Sequence, residues 1–293
     1  MTENWKTLAW NGIQFEIPAQ WDLAQIGDHH LILEDETGPV MEIKWGAVKG
    51  TFSHRAHLKR LAALQSRRNQ ITVAEWILPP PWERALADFE AGGFLWQSPA
   101  ASGRGAILFC TVCRTATLIQ FFGDSTVDRE KIFLKILRSL RDHSQDGWLA
   151  WSIFDIRATL PQALQLHRFR FEAGKFELAF TAGWGHIYLH RWAPAAALLA
   201  GGDLKAFAGS VPEFARGTPR PATLNNCQAV QWEVRAANSW RRILERLRRK
   251  PSFFFYCLWY LEKQNRILGV RAESRGPVDM QLVRQIYEHY ESL

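Results

Sequence analysis

The chain reads twice. Leu8-Ala9-Trp10 opens a run of landmarks that recurs, in order, after Leu149-Ala150-Trp151. Phe15-Glu16-Ile17-Pro18, Leu31-Ile32-Leu33 and Met41-Glu42-Ile43-Lys44-Trp45 answer to Ala158-Thr159-Leu160-Pro161, Phe169-Arg170-Phe171 and Ile187-Tyr188-Leu189-His190-Arg191-Trp192. Leu108-Phe109-Cys110 and Leu118-Ile119-Gln120-Phe121 answer to Phe255-Tyr256-Cys257 and Ile267-Leu268-Gly269-Val270, and Val127-Asp128 to Val278-Asp279. Each copy must fit the same fold, so the 293 residues are expected to form two related domains, 1–146 and 147–293, joined by the short linker His143-Ser144-Gln145-Asp146-Gly147. Domains of this size bury a core without staples. The 14 Trp divide seven to each half, and most should be core or interface residues because an indole carries so much apolar surface.

Short apolar or alternating runs bounded by Gly, Pro, Asp and Asn dominate both halves, which is a strand signal. Tight links such as Glu262-Lys263-Gln264-Asn265-Arg266 imply antiparallel hairpins. Helices are expected from a Ser53 cap to about Arg68, from an Asp128 cap to about Leu140, and from an Asp279 cap to about Tyr290; Ala195 to Phe207 reads as a weaker helix because Gly201-Gly202 interrupts it. The fold class is therefore α+β: two related domains, each a mainly antiparallel β-sheet covered by helices. The order of strand, Pro-containing turn, hairpin, helix, further hairpins and closing helix resembles the PsbP/Mog1-like fold, carried by Ile17-Pro18-Ala19-Gln20-Trp21 and Leu160-Pro161-Gln162-Ala163-Leu164. That resemblance implies a binding protein, since members bind a GTPase in one branch and a photosystem in another, and are mostly not enzymes. None of the family's binding residues matches this sequence position by position.

Charge separates the halves. Residues 1–146 hold 16 Lys and Arg against 17 Asp and Glu, a net of −1; residues 147–293 hold 20 against 12, a net of +8. The excess points the second half at an acidic partner. Much of it lies in an insertion: Trp96 precedes Cys110 by 14 residues, whereas Trp232 precedes Cys257 by 25. The surplus, Ser239 to Lys250, carries a net of +5 and reads as a basic amphipathic helix, capped by Ser239 and ended by Pro251. Trp240, Ile243, Leu244 and Leu247 share its apolar face. Arg241, Arg242, Arg246, Arg248 and Arg249 are the candidate binding residues, because a guanidinium fork pairs with carboxylates and phosphates in two bonds at once. An acidic protein is the favoured partner, nucleic acid or a phosphate ligand less so, and an anionic membrane surface least.

Other motifs carry less. Cys110-Thr111-Val112-Cys113 has zinc or redox spacing but falls in an apolar run that reads as a strand, which would point the two thiols to opposite faces. Four free thiols (Cys110, Cys113, Cys227, Cys257) and no metal or other cofactor are expected. His54-x-x-His57 and His186-x-x-x-His190 lack the glutamate of a metalloprotease. No nucleophile elbow, phosphate loop or dinucleotide fingerprint occurs, and Gly103-Arg104-Gly105 reads as a flexible hairpin turn. Pro79-Pro80-Pro81-Trp82 reads as a rigid connection rather than a recognition segment. The amino terminus lacks the basic start and apolar stretch of a signal peptide, so a soluble cytoplasmic protein is expected. The reading is a non-catalytic binding or scaffold protein; the alternatives are an enzyme of unknown reaction using an interdomain groove, and a nucleic-acid or phosphate-ligand binder.

Overall fold

The computed structural model describes residues 4–69, 71–123, 126–235, 251–276 and 278–293. The chain divides into two compact units, Met1–Ser144 and Gln145–Leu293. Both are α+β, with antiparallel sheets and few helices. No described helix is long and apolar enough to cross a membrane.

In the first unit, β1 (Trp5–Trp10) and β2 (Ile13–Pro18) form a hairpin across Asn11-Gly12, whose φ values of 44° and 92° suit the tight turn that follows strand twist. A seven-stranded sheet follows. Its strands are β3 (Asp22–Gly27), β4 (His30–Asp35), β5 (Gly38–Ala47), β6 (Thr72–Trp76), β7 (Glu90–Gln97), β8 (Ser102–Phe109) and β9 (Thr115–Phe122), in the spatial order β3-β4-β5-β9-β8-β7-β6. Helix α1 (His54–Asn69) lies over Phe94, Trp96 and Ile107 on one face, with Ser53 capping it through the Ala56 N–H. On the other, α3 (Val127–Ser139) stacks Phe133 on Phe121 with ring centroids 4.1 Å apart. Its cap is Thr126, which accepts from the Arg129 N–H, and not Asp128.

The second unit repeats the plan. Hairpin β10 (Trp148–Ile153) and β11 (Ile156–Pro161) precedes β12 (Gln165–Glu172), β13 (Lys175–Ala182) and β14 (Gly185–Trp192); β15 (Arg220–Leu224), β16 (Cys227–Arg235), β17 (Phe253–Leu261) and β18 (Arg266–Ser274) complete the sheet. Its order, β12-β13-β14-β18-β17-β16-β15, matches the first sheet strand for strand. The expected helix over 195–207 is instead two, α4 (Ala195–Leu199) and α5 (Leu204–Ser210): Ala200 turns left-handed at φ 45°, and Asp203 caps α5 through the Ala206 N–H. Helix α6 (Met280–Glu288) is capped by Asp279 and leads to a short strand, β19 (Glu291–Ser292), on β11.

The landmarks of the first hairpin need a correction of register. Trp5 pairs with Pro18 and Trp148 with Pro161, so Leu8-Ala9-Trp10 stands where Trp151-Ser152-Ile153 stands, two residues from the match made on Leu149-Ala150-Trp151. A slip of two keeps every side chain on its face, so alternation cannot reveal it.

Three local expectations fail. Gly103 and Gly105 lie inside β8 rather than in a flexible turn; a Cβ at Gly103 would stand 2.6 Å from the Trp96 ring, so glycine is there for close packing. The Pro-rich stretch is neither extended nor a plain connection but starts α2 (Pro80–Ala85), with Trp82 fully buried and its indole donating to Glu130 Oε1 at 2.6 Å. Cys110-Thr111-Val112-Cys113 is not strand, because β8 ends at Phe109 and the chain turns there.

Candidate functional site

Strand β14 runs through the second unit's sheet, and alternation sends His186, Tyr188, His190 and Trp192 to one face. Register assembles the rest. Tyr188 lies between Ala179 of β13 and Arg271 of β18, His186 between Thr181 and Glu273, and His190 between Glu177 and Gly269; Arg168 and Arg170 of the edge strand β12 continue the face beyond Ala179 and Glu177. At the Trp192 end this face is roofed by α5 and the turn Pro212–Phe214, through Leu204, Phe207 and Phe214. Toward His186 it opens: His186, Tyr188, Arg271 and Glu273 are half-buried, and His167, Arg168 and Arg170 are exposed.

Its polar groups are only partly paired. Tyr188 donates to Glu273 Oε1 at 2.8 Å, the Arg271 guanidinium stacks on the Tyr188 ring at 3.8 Å, and Arg168 donates to Glu177 at 2.6 Å. Nδ1 of His186, Nε of Arg271 and both ring nitrogens of His190 have no hydrogen-bond partner among the described residues. Glu177 comes within 3.7 Å of His190 Nδ1, too far for a hydrogen bond, and its charge is already answered by Arg168. Burial, with the cations Arg271, Lys175 and Arg168, therefore holds the His190 pKa well below its ordinary value, and the ring is neutral. Burial and the acceptor Glu273 push the Tyr188 phenol up to about 12.

The first unit pairs a buried carboxylate with three partners. Buried Glu42 faces His30 at 2.7 Å and Lys44 at 2.6 Å and also accepts from Gln120; against burial, which would raise it, Lys44 and His30 hold its carboxyl below the ordinary range. A cavity of about 530 Å³ nearby gathers Lys44, Lys49, His57 and Arg60.

These groups suit binding better than catalysis. A phenol at about 12 and a sealed neutral imidazole are poor proton carriers near neutrality, and among the described residues the open face presents arginines. Arg241, Arg242, Arg246, Arg248 and Arg249 lie outside the described residues. The described residues of β16 end at Arg235 and β17 begins at Phe253; Arg235, Phe253, Ser274 and Gly185 are in register, one position from Phe254, Glu273 and His186. The sequence reading missed Tyr188, Arg271 and Arg168; the alternation His186-x-Tyr188-x-His190 with Arg271-x-Glu273 was the available signal.

A second cluster of polar side chains lies in the first unit, where Cys110, Cys113, Asp142 and His143 bring one ligand atom each within 4.8 Å of one another. The other histidine pair is not joined: His54 bonds the Glu90 carbonyl and His57 the Ser53 carbonyl.

No protein-family model and no curated protein sequence matches the chain. Among solved structures it is similar to the Ran-binding protein Mog1p of Saccharomyces cerevisiae, at 9% identity and a TM-score of 0.33 over 50% of this chain and 98% of that one. It is also similar to a chain of the Tle4-Tli4 complex, at 11% identity and 0.36 over 98% and 97%. Immunity protein TplEi of the T6SS from Pseudomonas aeruginosa, complexed with a peptide, gives 11% identity and 0.34 over 98% and 97%. The PsbP/Mog1-like resemblance has its counterpart in this similarity to Mog1p, which covers half of the chain.

Proposed function

We propose that this chain is a cytoplasmic, non-catalytic binding protein, built of two copies of one ancestral domain, whose second unit holds an acidic protein partner. The observation that carries the reading is the open polar face around Tyr188, where Arg168, Arg170, Arg271 and His186 lie on one face of the sheet. The net of +8 in residues 147–293 supports the same sign of partner. Arg170 and its partner Glu172 are 58% and 55% exposed, so Arg170 can turn to a new carboxylate at little cost in stability, whereas Arg168 also answers buried Glu177.

Titration of a labelled poly-glutamate peptide at low salt tests this. Wild-type protein should bind, and binding should weaken both in R170E and when Arg241, Arg242, Arg246, Arg248 and Arg249 are reversed to Glu. A wild-type protein that ignores the peptide, or binding indifferent to both sets of changes, contradicts it. A second reading, a small phosphate ligand, is favoured by the cation-lined cavity of the first unit. Inorganic pyrophosphate that binds wild type but not K49A/R60A would support it.

A further inference from the structure

We propose that Cys110, Cys113, His143 and Asp142 form a binding site for a zinc-like divalent cation in the first unit. The turn that follows β8 makes it possible. Arg114 adopts φ 58°, its N–H bonds the Cys110 carbonyl at 2.9 Å, and the Cys110 N–H bonds the Thr115 carbonyl at 3.0 Å, so the chain doubles back and brings both thiols to one side. Val112 is left exposed at the tip. The opposite wall comes from the segment after α3. Arg141 exchanges both main-chain bonds with Gln14, each 2.8 Å, which fixes Asp142 and His143 beneath the turn.

Two sulfurs, an imidazole nitrogen and a carboxylate oxygen are donors that zinc takes, and the Cys-x-x-Cys spacing is that of one half of a structural site. Cys110 Sγ stands 3.6 Å from His143 Nδ1. Zinc bonds of about 2.3 Å to sulfur and 2.0–2.1 Å to nitrogen at tetrahedral angles require a separation of about 3.5 Å. Cys113 Sγ donates to Asp142 Oδ2 at 3.2 Å, and His143 Nδ1 lies 2.7 Å from Asp142 Oδ1. These shorter contacts are the ones that protons make where the cation would bind. The Asp142 side chain is 3% exposed and is met by a thiol and an imidazole rather than by Lys or Arg. Burying a carboxylate is costly unless a cation faces it, and a bound metal supplies that charge. On binding, the two thiols release their protons to solvent and the metal takes their place, clipping the β8–β9 turn to the end of α3.

The test uses the full chain, reduced and stripped of metal, titrated with Co²⁺ and then displaced by Zn²⁺. One Co²⁺ per chain should bind with a thiolate-to-cobalt charge-transfer band and tetrahedral visible bands, and Zn²⁺ should raise the melting temperature. C113S should leave at most the weaker charge-transfer band of a single thiolate, H143Q should weaken binding by more than about tenfold, and C227A should change neither. His143 is 28% exposed in its side chain, so H143Q keeps the comparison open if a cysteine variant misfolds. Reduced protein that takes up no Co²⁺, an octahedral spectrum without thiolate bands, or binding that survives both C113S and H143Q would overturn the proposal.

Discussion

The hydroxyl of Tyr290 donates to the main-chain carbonyl of His190 at 3.0 Å, with both residues buried. The bond ties the segment after α6 to the strand that carries the polar face, while the Tyr290 ring packs edge-on against Trp259 at 5.8 Å. Tyr290→Phe keeps that packing and removes only the bond, so it should cost about 1–2 kcal/mol. Urea unfolding should show a lower midpoint with an unchanged slope.

His190 makes stability depend on pH in a defined window. Its folded pKa lies well below the ordinary value, whereas in the unfolded chain the ring titrates near about 6.5. Below that pH the unfolded state takes up a proton the folded state refuses, so stability is lost as pH falls, by up to about 1.4 kcal/mol per pH unit. Glu42 and Glu213, whose carboxyls are held down by Lys44 and Lys175, add their own loss only below about pH 4.5. Unfolding measured between pH 7 and pH 5 should therefore show a slope that His190→Leu flattens.

Trp82 decides what the three prolines are for. Its buried ring stands edge-on to Trp76 at 5.1 Å and to Phe121 at 5.8 Å, and its N–H reaches Glu130, which also pairs with Arg104. Trp82→Ala should cost on the order of 3–5 kcal/mol. A thermal melt within a degree of wild type would contradict the core role of Trp82.

Gly103 makes a parallel point in β8. With the Trp96 ring and the Phe121 carbonyl where its Cβ would go, Gly103→Ala should destabilise by about 1–3 kcal/mol through overpacking. Chemical denaturation checks it, and a neutral effect would return these glycines to a turn.

What the sequence made legible follows physical reach. The hairpin at Glu262–Asn265 and the caps Ser53 and Asp279 were readable because each depends on neighbours within a few residues, and Asn265 indeed turns at φ 54°. Edge strands β3 and β6 are hard to read from the sequence because polar residues such as Asp22, Gln25 and Glu75 break their alternation. The cysteine turn escaped for another reason: Thr111 and Val112 favour strand, and the left-handed residue that ends it is Arg114, neither Gly nor Asn. His143 and Asp142 meet those thiols only through the pairing of Arg141 with Gln14, 127 positions back along the chain. The polar face was half legible. Alternation puts His186, Tyr188 and His190 together, but where α5 stops covering them is a matter of packing.

Hydrogen exchange of the full chain with and without bound poly-glutamate tests the central claim most directly. The account predicts slowed amide exchange along the β12 edge, over His167 to Glu172, and at the insertion flanks near Arg235 and Phe253, with the first unit unchanged. Protection confined to residues 4–144, or binding without protection at β12, would contradict it.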